Sequence, residues 1–248
     1  HINHIGEGLS KAVEKSMKDE RLKTDLITNV SHDIKTPLTS IINYVDLLKR
    51  ENIQDPKIQG YLDILEAKAQ RLTEDVVEAS KISSGNITME YMNINFVEMI
   101  NQTTGEFAEK FEKRNLQIVL NVPEKPVMVR TDGRRMWRVI ENIYNNAAKY
   151  ALEGTRVYAD LIEKEHTVEF SLKNISEQPL NISADELTER FIRGDVSRST
   201  EGSGLGLSIA KNLTELQGGK FELYLDGDLF KVTIVFPKAV VGQSVTKS

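Results

Sequence analysis

A histidine followed directly by an aspartate lies inside a long helical pattern near the start of the chain. Apolar residues on both sides of it recur at steps of three and four, which predicts one apolar stripe: Leu26, Val30, Ile34, Leu38, Ile41, Val45 and Leu48. His32 lies off that stripe, so its imidazole should be accessible to solvent. Asp33 can accept a proton or a hydrogen bond from the ring and make one ring nitrogen more nucleophilic. The alternative is an ordinary surface histidine.

Two asparagines one helical turn apart form a second chemical pattern. Asn142 and Asn146 follow Asp132, which opens a predicted helix, and their spacing places them on the same face. Two amide oxygens on one face suit Mg²⁺, which keeps several waters and binds substrate phosphates. Lys149 can add positive charge beside such phosphates. The alternative is a polar helix face that meets only solvent.

A glycine-rich stretch leads into another predicted helix and consists of Gly202, Ser203, Gly204, Leu205 and Gly206. Glycines let backbone N–H groups approach oxygens closely, and a helix N-terminus favours negative charge, so the stretch predicts a phosphate cradle. It lacks the lysine of a P-loop and does not follow a strand in a parallel βαβ unit, so those two nucleotide folds are not favoured. Upstream, Arg190, Arg193 and Arg198 predict a mobile basic lid.

Asn174 follows a predicted strand at residues 167–173. Its amide can both accept and donate hydrogen bonds, so it is a third candidate for contact with the same ligand. The alternative is a turn residue, which is the usual role of asparagine at the end of a strand.

Composition limits the possible functions. The 248 residues carry a formal net charge of -5 and no basic cluster with interleaved aromatics, which argues against nucleic-acid binding. The chain has no cysteine, so disulfides and thiolate metal sites are excluded. No apolar run is long enough to span a bilayer, and the sequence does not begin with methionine. We therefore expect a fragment whose contact with a membrane runs only through a segment absent from this sequence.

The remaining patterns place these residues in two domains. Residues 1–23 show an interrupted heptad pattern, which predicts a coiled-coil helix. We expect this helix to continue into an all-α antiparallel helical hairpin at 24–85. Because a lone hairpin cannot bury both apolar faces, two copies should form a dimeric four-helix bundle. After a linker at 86–95, strands and helices at 96–239 predict an α+β two-layer sandwich with a mainly antiparallel sheet. Residues 240–248 are expected to be a disordered tail.

Together these motifs resemble the cytoplasmic catalytic region of bacterial two-component sensor histidine kinases over about residues 20–238. The stretch Ser31–Leu38 resembles the phosphoacceptor box, Asn142–Tyr150 the N box, Glu189–Phe191 the F box and Gly202–Leu207 the second glycine box. The resemblance implies that 1–23 is a signalling helix and 24–85 the dimerisation and histidine phosphotransfer hairpin of a homodimer. It implies that 96–239 is a catalytic ATP-binding domain of the Bergerat type shared with gyrase, Hsp90 and MutL.

The family implies a role for each candidate residue. His32 would attack the γ-phosphate of ATP, Asp33 would assist its deprotonation, and Thr36 would position water during dephosphorylation of a partner. The implied contacts to Mg²⁺ and ATP are Asn142 and Asn146 for the metal, Lys149, Arg190 and Arg193 for phosphate charge, Tyr150 for the pocket wall, and the glycine box for phosphate. The phosphoryl group would then pass to an aspartate in the receiver domain of a response regulator. The chain would be the cytoplasmic domain of a cell-membrane sensor.

One motif departs from the family pattern. Asn174-Ile175-Ser176-Glu177 stands where the first glycine box normally has Asp followed by Gly-x-Gly. Asparagine can still accept from the adenine amino group and donate to the neighbouring ring nitrogen. Two alternatives stay open: a non-catalytic signalling scaffold with an altered pocket, and an ATPase of the gyrase and Hsp90 type. The second would need a general-base carboxylate where Asn142 stands.

Overall fold

The computed structural model describes residues 34–51, 53, 55–180 and 205–239. Its contacts divide the chain into two units with a boundary between Ile87 and Thr88, and each unit is described by itself below. His32, Asp33, the helix predicted at 1–23 and the tail predicted at 240–248 lie outside the described residues.

The first unit contains two helices joined by a short connection. Helix α1 covers residues 34–50, and helix α2 covers Pro56–Ser83. Asp55 caps α2, because its Oδ1 accepts from the Lys57 N–H at 2.8 Å, and Pro56 occupies the first helical position, where no N–H is needed. Gly85 follows with a φ of 67°, a left-handed conformation that suits the end of a helix. None of the described helices is long and apolar enough to cross a membrane.

Ten apolar residues of this hairpin form two heptad series with different environments. One series packs inside the hairpin and is buried: Leu38 and Val45 on α1, with Leu62, Ala69 and Val76 on α2. The other series remains exposed: Ile34, Ile41 and Leu48 on α1, with Ile58 and Leu65 on α2. Each series repeats every seven residues, as the seams of a helical bundle do. One chain therefore covers only one of its two apolar seams.

The second unit mixes strands and helices. The elements, in chain order, are β1 Tyr91–Asn95, α3 Phe96–Glu112, β2 Gln117–Asn121, β3 Met128–Asp132, α4 Gly133–Tyr150, β4 Arg156–Glu163, β5 Thr167–Ile175, α5 Gly206–Leu216, β6 Lys220–Asp226 and β7 Leu229–Pro237. Five strands form one sheet in the order β2-β4-β5-β7-β6, and β1 pairs with β3 in a separate two-stranded sheet. Within the large sheet β2 and β4 are parallel, and the other neighbours are antiparallel.

Aromatic side chains join the helices to one face of the large sheet. Phe170 of β5 stacks with Tyr144 of α4, with ring centroids 6.2 Å apart, and lies the same distance from Phe96 at the start of α3. Tyr144 is fully buried and its hydroxyl pairs with that of Thr104 at 2.8 Å. Burial raises the pKa of Tyr144 to about 12, so the phenol stays neutral in this core. Helices α3 and α4 therefore form a layer on the sheet, as the predicted α+β sandwich requires.

The N-terminus of α4 is fixed by a buried carboxylate. Asp132 accepts from the N–H of Arg135 at 3.1 Å and, through its other oxygen, from the N–H of Glu90 at 2.9 Å. Burial raises the pKa of this carboxyl, but the two N–H groups and the charges of Arg135 and Arg134 outweigh it and hold the pKa below its usual value. Gln217, just after α5, accepts from the Asp132 N–H at 3.1 Å. Helix α4 is thus anchored to the segment before β1 and to the end of α5.

Candidate functional site

Helix α4 carries the two asparagines whose spacing suggested a metal site. Its apolar residues Val139, Ile140 and Ile143 are buried in the core, which fixes the rotation of the helix about its axis. Asn142 is only 3% exposed, and Asn146, one turn further on, is half-buried. The Nδ2 of Asn142 is buried and has no hydrogen-bond partner among the described residues. A buried amide N–H without a partner costs about 1–3 kcal/mol, so this nitrogen is suited to donate a hydrogen bond to a ligand oxygen.

The start of α5 lies directly against Asn142. A Cβ atom added at Gly206 would lie 3.1 Å from the Asn142 Oδ1, which is tighter than most contacts of a Cβ atom. A side chain at this position would therefore require the Asn142 amide to shift by a few tenths of an ångström. Leu205 has no side-chain oxygen that could cap the first turn of α5. The structure thus brings Leu205 and Gly206 of the glycine-rich stretch to Asn142, while Gly202, Ser203 and Gly204 lie outside the described residues.

Asn174 lies near the end of β5, where it is 3% exposed. Its Nδ2 donates to the backbone carbonyl of Ile175 at 3.1 Å, and that carbonyl also accepts from the Leu152 N–H at 2.8 Å. Its Oδ1 is buried and has no partner among the described residues. The sequence suggested that this amide could both accept from a base and donate to it. The structure pairs one N–H of this amide with the Ile175 carbonyl and leaves the Oδ1 acceptor available.

The last turn of α4 carries Lys149, which is half-buried, and Tyr150, which is 36% exposed. The chain after Asn174 runs beside this turn, because the Glu177 N–H donates to the Tyr150 carbonyl at 2.8 Å. The structure therefore brings Asn174 close in the fold to the C-terminal end of the helix that carries Asn142 and Asn146. The predicted arginines Arg190 and Arg193 lie outside the described residues.

The predicted phosphoacceptor region is described only in part. Thr36 is exposed on α1, and its backbone carbonyl accepts from the Ser40 hydroxyl at 3.2 Å. It belongs to the helical unit, whereas the asparagines above belong to the second unit.

Two site residues could not be found from the sequence. Arg114, in the turn after α3, donates to the backbone carbonyl of Lys149 and to the Glu177 carboxylate. Asn145 is buried beside Asn146, accepts from Lys110 Nζ at 3.3 Å and has an Nδ2 without a partner among the described residues. Arg114 belongs to no recognisable motif. Asn145 lies within the N box, but the spacing that selects Asn142 and Asn146 does not select it.

Comparison with known proteins agrees with this arrangement. The His Kinase A (phospho-acceptor) domain matches residues 22–85, and the family described as histidine kinase-, DNA gyrase B-, and HSP90-like ATPase matches residues 131–240. The sensor protein VanSC of Enterococcus gallinarum is 31% identical over 251 residues, which cover 96% of this chain and 69% of VanSC. The chain belongs to the sensor histidine kinases of two-component systems.

Another enterococcal relative of this histidine kinase supports the same conclusion. VanS of Enterococcus faecium is 34% identical over 225 residues, covering 88% of this chain. The chain spans 58% of the length of VanS.

Solved structures share the fold. Full-length ShkA, solved in complex with AMPPNP, has a TM-score of 0.67 at 19% identity and covers 88% of this chain, which matches 46% of ShkA. ThkA, solved in complex with the response regulator protein TrrA, has a TM-score of 0.62 at 22% identity, covering 92% of this chain and 66% of that one. At these identities the likeness concerns the fold. The predicted fold class, a helical hairpin followed by an α+β ATPase domain, is confirmed.

Proposed function

We propose that this sensor histidine kinase phosphorylates its own His32 from ATP and passes the phosphoryl group to an aspartate in the receiver domain of a response regulator. The observation that carries the proposal is the set of buried, unpartnered amide atoms on Asn142 and Asn174. Both residues match nucleotide-binding positions of the family by motif. Both present polar atoms that are desolvated and lack a partner among the described residues, which is costly unless a ligand fills the site.

The candidate residues match the base and the phosphates of ATP by their hydrogen-bonding capacity and charge. The Asn174 acceptor suits the amino group of adenine, because that group is a hydrogen-bond donor. Lys149, Arg190 and Arg193, together with the glycine box from Gly202 to Gly206, suit the phosphates by charge and by backbone N–H groups. Tyr150, partly exposed beside Glu177, can line the wall of the pocket. The full-length relative ShkA was solved with an ATP analogue.

The residues also fit a magnesium ion bound together with the nucleotide. Asn142 and Asn146 supply neutral amide oxygens from one side of α4, and Mg²⁺ prefers hard oxygen ligands while keeping waters and substrate phosphates in its shell. When bound, the ion would neutralise charge on the phosphates. The absence of a side chain at Gly206 leaves room for the Asn142 amide beside the start of α5.

The reaction proposed for this chain requires positioning and one proton transfer. A ring nitrogen of His32 attacks the γ-phosphorus, the bond from that phosphorus to the bridging oxygen breaks, and ADP leaves. The ring proton passes to the neighbouring carboxylate of Asp33. We further propose that Thr36, exposed on α1, positions water when the kinase acts as a phosphatase toward its regulator.

We propose that the kinase is a homodimer formed through the exposed seam of the hairpin. Two copies of this seam, each with Ile34, Ile41, Leu48, Ile58 and Leu65, would cover one another in a four-helix bundle. The domain limits that follow are a signalling helix at 1–23, the hairpin at 24–85 and a tail at 240–248. The segment 86–95, predicted as a linker before a catalytic domain at 96–239, includes β1, which pairs with β3, so we propose that the catalytic domain begins before Phe96. We also propose that the chain is the cytoplasmic part of a membrane sensor, since its relatives are named sensor proteins.

Radiolabelled ATP and Mg²⁺ test the reaction directly. Incubation with the chain should give an acid-labile label, because a phosphorus–nitrogen bond hydrolyses in acid, and the label should vanish in His32→Gln. Label that persists in His32→Gln would contradict the assignment of the phosphoacceptor. Asn146→Asp should abolish labelling while the dimer persists, since a carboxylate would add a charge beside the phosphates.

The signalling scaffold is a second candidate because Glu177 replaces a glycine of the family pattern and is tied to Arg114. Calorimetric titration with ATP separates the two candidates. Absence of nucleotide binding would favour the scaffold.

A further inference from the structure

Arg114 lies outside every motif, in the turn that follows α3, yet its side chain joins three segments of the catalytic unit. Its guanidinium donates to the carbonyls of Ala148, at 3.2 Å, and Lys149 at the end of α4. It also donates to the Glu177 carboxylate at 2.6 Å. These contacts connect the end of the N-box helix to the chain that follows Asn174.

Ser176 and Glu177 continue the chain directly after β5, whose last two residues are Asn174 and Ile175. The Glu177 N–H donates to the Tyr150 carbonyl at 2.8 Å, and the Ser176 N–H donates to the Asp228 carbonyl at 2.7 Å in the β6–β7 turn. Backbone bonds therefore hold this extension on both sides, and the ion pair with Arg114 adds a side-chain contact at its far end.

We propose that Arg114 is a positioning residue for nucleotide binding. By bonding at once to the carbonyl end of α4 and to Glu177, it fixes the spacing between Asn174 and the helix that carries Asn142 and Asn146. The inference rests on the proposed function, because it assumes that these residues contact the same nucleotide. Arg114 itself touches no proposed ligand atom and acts through the backbone.

The chemistry of the contact requires arginine. A guanidinium presents several donors in a rigid fork and can serve two carbonyls and a carboxylate together, whereas a lysine ammonium is a point charge on a flexible stem. A cation at the carbonyl end of a helix is also favoured by the helix dipole. The Arg114 side chain is 26% exposed and that of Glu177 is 48% exposed. Solvent therefore screens the ion pair, and a moderate effect is expected from removing it.

Titration of the full chain with AMPPNP and Mg²⁺, alongside thermal unfolding of each variant, tests the proposal. Arg114→Gln should weaken binding about 3- to 10-fold and Glu177→Gln about 2- to 5-fold. The double variant should bind no more weakly than Arg114→Gln, because both changes break the same connection. Arg114→Lys should bind about as weakly as Arg114→Gln, since charge without the fork cannot hold both segments. Glu177→Gln leaves the bonds from Arg114 to α4 possible, so this variant should fold.

Glu153→Gln is the matched control, because Glu153 bonds to the neighbouring Asn115 at 3.1 Å. Its affinity for AMPPNP should equal that of the wild type. A fall in melting temperature with unchanged affinity in Arg114→Gln would overturn the proposal and leave only a structural role. Full affinity in Arg114→Lys, or additive losses in the double variant, would also overturn it. Failure of the wild-type chain to bind AMPPNP is a separate result, which would overturn the proposed function and this inference together.

Discussion

Replacing Asn174 by leucine should weaken ATP binding and leave the empty protein at least as stable as the wild type. Leucine has nearly the shape of asparagine but no polar atoms. The wild-type Oδ1 is buried without a partner among the described residues, which costs about 1–3 kcal/mol. The substitution removes that cost and also loses the bond from Nδ2 to Ile175, worth about 1 kcal/mol. The two terms leave the free energy of unfolding unchanged or slightly higher.

ATP binding should respond in the opposite direction. In the proposed site the adenine amino group would satisfy the buried Asn174 acceptor, so loss of that acceptor should weaken binding by about 1–2 kcal/mol, or about 5- to 30-fold. Inosine triphosphate sharpens the test, because it carries a carbonyl oxygen where adenine carries the amino group. Rotation of the amide to receive that oxygen would place Oδ1 against the Ile175 carbonyl, which the Leu152 N–H holds in place. The wild type should therefore prefer ATP by about 10-fold or more.

Calorimetric titration with both nucleotides and denaturant unfolding of the empty protein measure the two effects. In Asn174→Leu the preference for ATP over inosine triphosphate should fall close to one. Ser171→Ala, a change at another buried polar residue of β5, is the control and should keep the preference. An unchanged preference in Asn174→Leu would show that the base is selected elsewhere. Equal binding of both nucleotides by the wild type would show that the amide rotates freely.

Two further predictions concern the hairpin and the anchor of α4. Ile41→Asp should shift the kinase toward monomers in sedimentation. Ile41 is 40% exposed in the single chain, so burying the rest of this side chain from two chains contributes about 1–2.5 kcal/mol per dimer, and a buried carboxylate adds a further penalty. Asn43→Asp, on the opposite side of α1, should leave the dimer intact, and an unchanged dimer in Ile41→Asp would show that the exposed seam is not the dimer interface. The lowered pKa of Asp132 means that its stabilisation is present above its unfolded pKa, near 4, and is lost as the pH falls through the folded pKa. Asp132→Asn should lower the free energy of unfolding by about 1–3 kcal/mol at pH 7, since an amide N–H would face the Glu90 N–H. When the free energy of unfolding is measured across pH, the variant should lack the loss of stability that the wild type shows as Asp132 becomes protonated.

Local signals in the sequence were sufficient for most of the elements. Asp132 predicted the start of α4, and Asp55 followed by proline is a start signal of the same kind for α2; both carboxylates cap their helices in the structure. Asp226-Gly227-Asp228 is a local turn signal, and in the structure it joins β6 to β7. These elements were predictable because caps and turns depend on residues only a few positions apart.

Long-range pairing was not predictable in the same way. The sequence favoured a mainly antiparallel sheet but did not indicate that β2 pairs with β4 in parallel, since strands 35 or more residues apart carry no local sign of their partner. The contact of Arg114 with Glu177 spans 63 residues and was missed for the same reason. The hairpin stripe was predicted as one seam, and only packing could separate the buried Leu38 and Val45 from the exposed Ile41.

Asn174 shows how the two kinds of information combine. Its residue type allowed an acceptor and a donor, and sequence reasoning could not choose between them. The choice comes from the Ile175 carbonyl, whose position depends on the Leu152 N–H in the loop after α4. That loop is fixed by the same helix that presents Asn142. The helix therefore serves the proposed site twice: directly, through the amides on its face, and indirectly, by orienting the Asn174 amide through its final turn. A change at the end of α4 should thus alter base selection even where it touches no nucleotide atom.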